Sequence, residues 1–78
     1  MMKLNGNNYN AEFACWLRVR MAEMNKSCHG LADEVGTTLN SVSNWRRGVQ
    51  RPSLAFTGKL ANALSVKEET IRKKLSYG

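Results

Sequence analysis

The sequence predicts an all-α fold, a compact bundle of five helices. Apolar residues recur at steps of three and four along successive segments, hydroxyl and amide side chains stand ahead of those segments, and glycines close two of them. Residues 10–75 are assigned to this domain, with 1–9 as a mobile N-terminal arm and 76–78 as a short tail. The 78 residues suffice for one small core and leave no room for a second folded unit with its own ligand pocket, so no sensory domain is expected in this chain.

Helix 1 is expected to be capped by Asn10, with Phe13, Leu17, Met21 and Met24 as its core stripe, Trp16 widening that stripe and Cys15 part-buried. Asn25 to Ser27 forms the turn, and the Ser27 hydroxyl is a good N-cap for helix 2. In helix 2, Leu31 and Val35 are four apart and mark one buried face, and Ala32 is small where two helices must cross closely. Gly36 ends this helix, because a glycine adopts the left-handed backbone conformation at little cost. Thr37 or Thr38 caps helix 3, in which Val42 and Trp45 point inward.

After Gly48, residues Val49 to Pro52 form a basic loop, and Pro52 fits an early position of helix 4. That helix is expected from about Ser53 to Leu64, with Leu54, Leu60, Ala61 and Leu64 toward the core. Phe56 falls off this stripe, and Gly58 sits inside the helix at a cost of roughly 1 kcal/mol relative to Ala; either suggests a subunit contact. Val66 packs back, and helix 5 runs from about Lys67 to Leu75 with Ile71 and Leu75 inward and Arg72, Lys73 and Lys74 outward. Glu68 and Glu69 at its start and the basic residues at its end complement the helix dipole.

Twelve Lys and Arg against six Asp and Glu give a net charge of +6 and a pI near 9.8, which favours an anionic partner. The distribution sharpens this: no acidic residue occurs between Glu34 and Glu68, whereas Arg46, Arg47, Arg51, Lys59 and Lys67 all do. The two cysteines, Cys15 and Cys28, and the single His29 have neither zinc-site nor CxxC spacing, and both thiols fit a reduced, cytoplasmic protein without a metal or other cofactor. No apolar signal core or bilayer-spanning stretch is visible. With one histidine, no paired carboxylates in a plausible cleft and no glycine-rich phosphate loop, an enzyme is not expected.

On helix 3 the residues left facing outward are Asn40, Ser41, Ser43, Asn44 and Arg47, a row of hydrogen-bonding groups suited to base edges and phosphates. The set Leu31, Ala32, Gly36, Val42, Ser43, Trp45 and Gly48, followed by Arg51-Pro52-Ser53, Leu60-Ala61 and Leu64-Ser65-Val66, resembles the helix-turn-helix family of Cro and the phage repressors. The resemblance covers roughly residues 10 to 75. It implies a lambda-repressor-like bundle whose helices 2 and 3 form the DNA-binding motif. Two departures stand out: Cys28 opens helix 2 where relatives often carry Gln, and Met21 and Arg46 occupy positions where relatives often pair Arg with Glu.

The expected partner is a double-stranded DNA operator. Leu39, Asn40, Ser43 and Asn44 are the candidates for base contact, since the first turn of such a helix enters the major groove; Asn40 or Asn44 would favour an A·T pair and Leu39 would meet a thymine methyl. Ser27, Cys28, Thr38, Arg46, Arg47 and Arg51 are the candidates for phosphate, with Lys59 a weaker one. Arg46, without the Glu its position often holds, is expected to add free positive charge. A module this small is expected to act as a homodimer on a pseudo-palindromic site, joined through helix 5 and the helix 4 to 5 link, with Phe56 or Tyr77 as apolar contributors and no small-molecule effector or membrane. An antitoxin that controls its own operon is the neighbouring reading, and a helical adaptor that binds protein in place of DNA is a further one.

Overall fold

The computed structural model describes residues 8–75, and among these the helical periodicity becomes five helices and no strand: α1 (Asn8–Glu23), α2 (Cys28–Val35), α3 (Leu39–Arg47), α4 (Leu54–Ala63) and α5 (Glu68–Lys74). Helix α1 begins at Asn8, so Asn10 lies within it and not ahead of it. Residues 1–7 of the expected arm and Tyr77 lie outside the described residues.

The four turns share one backbone device. Each helix from α1 to α4 is followed by a residue in the left-handed region, Asn25 (φ 58°), Gly36 (φ 81°), Gly48 (φ 75°) and Ser65 (φ 57°). In each case the next N–H folds back on a carbonyl five residues earlier: Lys26 on Met21, Thr37 on Ala32, Val49 on Asn44 and Val66 on Ala61. This pairing satisfies carbonyls that a helix end leaves open, and it reverses the chain within two residues. The following helices start on side-chain caps where the sequence supplies them: Ser27 Oγ accepts from the Gly30 N–H at 3.0 Å, and Thr38, of the two threonines, accepts from the Ser41 N–H at 3.1 Å.

Close backbone approach occurs between α1 and α3, α3 and α2, α2 and α4, α4 and α5, and α5 and α1, so the helices form a closed ring. Its interior holds Phe13, Leu17, Leu31, Val35, Val42, Trp45, Leu60, Leu64, Ile71 and Leu75, all essentially without solvent exposure. Each such side chain contributes about 1.5–3 kcal/mol by leaving water. Three arginines tie the ring across its helix ends. Arg18 donates to the Arg46 carbonyl at the end of α3, Arg20 Nε to the Leu64 carbonyl after α4 at 2.9 Å, and Arg51 Nη1 to the Leu75 carbonyl after α5 at 3.1 Å. A cation at a helix C-terminus is favoured by the dipole as well as by the bond itself.

Four expectations about packing change. Leu54, expected in the core, is 55% exposed, because Thr57 opens the buried stripe of α4 that Leu60, Ala61 and Leu64 continue. Thr57 is fully buried and its hydroxyl lies 2.9 Å from the Leu54 carbonyl and 2.6 Å from Glu68 Oε2, so it faces the start of α5. Pro52 precedes the N-cap position of Ser53, outside the helix, and is itself buried. Phe56, off the expected stripe, is half-buried and packs against the core, its ring 5.7 Å from that of Trp45. Cys15 is exposed, and both cysteines are free thiols.

Candidate functional site

Helix α3 has two faces with different work. Val42 and Trp45 bury completely and anchor it against α1 and α2. Leu39, Asn40, Ser43, Asn44 and Arg47 fall at successive turns of the opposite face, and the capping threonine, Thr38, is exposed at its start. Leu39 is 44% exposed, an apolar side chain held out in solvent at the first turn. Asn40 and Arg47 are exposed, and Ser43 and Asn44 are half-buried. All four expected base-contacting residues therefore lie on one surface.

Asn44 is the most constrained of them. Its carbonyl accepts from the N–H groups of Val49 at 3.1 Å and Gln50 at 3.4 Å, its Nδ2 donates to Gln50 Oε1 at 3.3 Å, and its Oδ1 accepts from Arg47 Nη1 at 3.5 Å. Beyond this cluster, Val49 and Gln50 are exposed at the tip of the loop.

The candidates for phosphate separate into three groups. At the start of α2, Ser27 Oγ is committed to the Gly30 N–H, while the N–H groups of Cys28 and His29 in the first turn have no intrahelical acceptor and point along the helix axis. Arg47 is exposed and extends the outer face of α3. Arg46 and Arg51 are not free. Arg46 Nη1 donates to Cys28 Sγ at 2.8 Å and its Nε is buried without a partner, so the free charge expected of it is instead packed between α3 and the start of α2. Arg51, expected to clamp phosphate, is half-buried and bound to the end of α5.

The electrostatics follow from where the carboxylates are. The ion pairs Arg20–Glu23, Lys26–Glu34, Arg72–Glu68, Lys73–Glu69 and Lys74–Glu12 all lie away from α3. Helix α3 itself carries Arg46 and Arg47 in its last turn and no acidic residue. Among the described residues no cluster of His, Cys, Asp and Glu could hold a metal ion, and no helix is long and apolar enough to cross a membrane.

Residues that sequence reasoning missed are the ones whose partners are remote in the chain. Nothing local marks Arg18 and Arg20, since the carbonyls they reach lie 28 and 44 residues away in the chain. Gln50 had a usable signal: it follows a glycine helix stop, and such a stop returns the next residues to the last turn. No family model matches this chain, and a search of curated proteins finds no match.

Proposed function

We propose that this chain is a sequence-specific double-stranded DNA-binding regulator with a lambda-repressor-like fold, in which α2 and α3 form the helix-turn-helix and α3 enters the major groove. One observation carries the reading: a helix fixed from behind by Val42 and Trp45, and with no acidic residue of its own, presents Asn40, Ser43, Asn44 and Arg47 outward. Side-chain amides suit adenine edges, and an apolar Leu39 at the leading turn suits a thymine methyl. Thr38 and Arg47 at the two ends of α3 would meet phosphates on either side of the groove. The first turn of α2 would take another phosphate on the N–H groups beside Ser27 and Cys28, with the guanidinium of Arg46 adding positive charge there.

A single copy offers a limited interface, so the chain would act as a homodimer with two α3 helices roughly 34 Å apart, one turn of duplex, on a pseudo-palindromic operator. Regulation would then come from operator occupancy in the cytoplasm, as in Cro-like phage regulators. Selection of bound duplexes from a random pool, followed by titration at two salt concentrations, tests this. The expected result is an enriched motif with inverted symmetry and an affinity that falls steeply with salt. Retention of no motif, with equal affinity for every duplex, overturns it.

A further inference from the structure

The loop beyond α3 reaches back onto the helix face. Gly48 in the left-handed conformation turns the chain so that the Val49 and Gln50 N–H groups both meet the Asn44 carbonyl, and this places the Gln50 side chain beside that of Asn44. We infer that Gln50, a residue outside α3, is a positioning residue that sets base preference by holding the Asn44 side-chain amide in one orientation. The inference rests on the DNA reading above.

An asparagine amide has two donor hydrogens and two acceptor sites on oxygen, and rotation by half a turn exchanges them in space. On an exposed helix both orientations are accessible, and the group then offers adenine the right pattern only part of the time. Here Arg47 Nη1 faces Oδ1 and Gln50 Oε1 faces Nδ2. Guanidinium has donors only, so the rotated amide would set donor against donor at Arg47, and Gln50 would lose its bond to Nδ2 unless its own amide turned as well. Each neighbour occupies one site of Asn44. One donor and one acceptor remain, the complement of the acceptor N7 and donor N6 that adenine shows in the major groove.

The experiment compares the full-length chain with Gln50→Met, Gln50→Glu, Asn44→Ala and the Asn44→Ala/Gln50→Met double variant on the selected duplex and on its single-base-pair substitutions. Gln50 is exposed, so these changes leave the fold in place. Gln50→Met is expected to lower discrimination about two- to tenfold, the net value of one hydrogen bond, at the same base pair that Asn44→Ala affects. It should add nothing in the Asn44→Ala background and leave the salt slope unchanged. Gln50→Glu keeps the acceptor and should keep the preference while weakening all duplexes alike. The inference is overturned alone if wild type selects a motif but Gln50→Met leaves that base pair's discrimination intact, shifts another position, or adds fully to Asn44→Ala. If wild type selects no motif, the DNA reading fails and takes this inference with it.

Discussion

Arg46 Nη1 sits 2.8 Å from Cys28 Sγ, joining the last turn of α3 to the first residue of α2. The thiol is a weak acceptor serving a charged donor, and the Nε of the same guanidinium is buried with no partner at all. Cys28→Ala removes the one side-chain acceptor this group has among the described residues, and some half-buried contact area. The expected loss is about 1 kcal/mol, read as a lower urea midpoint at unchanged m-value. A midpoint equal to wild type would show that the contact contributes nothing.

Backbone conformation after the helices gives a pair of opposite predictions. Ser65 holds φ 57° and carries a Cβ in a region where it is crowded. Ser65→Gly relieves about 1–2 kcal/mol of that strain while loosening the unfolded chain, for a net gain of about 0.5–1 kcal/mol. Gly36→Ala does the reverse: a Cβ there would meet only Lys59 Nζ at 4.0 Å, so its cost of about 1–2 kcal/mol is backbone strain alone. Thermal melts of both variants check the signs.

The Thr57 hydroxyl is the main cause that holds the Glu68 carboxyl below its ordinary value; partial desolvation opposes it, and the nearby Arg72 adds to the lowering. A carboxylate lowered in the folded state stabilises the fold above its ordinary range, and that contribution is lost as pH falls through the folded value. Thr57→Val should therefore raise the Glu68 value toward the ordinary one and flatten the acid side of the stability profile. Titration of Glu68 by NMR and melting temperature against pH are the measurements.

The two arginines flanking the end of α3 should behave differently. Arg47 is exposed and donates to Asn44 Oδ1, so on the DNA-binding reading Arg47→Ala is expected to leave the melt unchanged, weaken binding to all duplexes, reduce the logarithmic salt slope by about 0.9 and lower discrimination at the base pair that Asn44 meets. Arg51 holds the Leu75 carbonyl, so Arg51→Ala should destabilise the fold by about 1–2 kcal/mol. Equal effects of the two on stability would mean that both are surface charges.

What the sequence disclosed follows the range of the interaction. The stops at Gly36 and Gly48, the caps at Ser27 and Thr38, and the inward pair Val42 and Trp45 are set by residues within a turn of one another, and these agree with the structure. Leu54 lies outside the core and Thr57 inside it because a hydroxyl is acceptable in the core only when a partner is present, and Glu68 is eleven residues away. The outer face of α3 was readable for the same reason its inner face was. The attachment of Arg46 and Arg51 was not, since long flexible cations find carbonyls and sulfur that no local spacing announces.

The closed ring has an evolutionary corollary. Because α3 meets its neighbours through α1 and α2 and is locked by two interior side chains, the letters at Leu39, Asn40 and Ser43 bear almost none of the structural burden. If α3 reads DNA as proposed, exchanging them should retarget the molecule with little change in melting temperature, so a scaffold of this kind can diverge in preference while its architecture stays fixed.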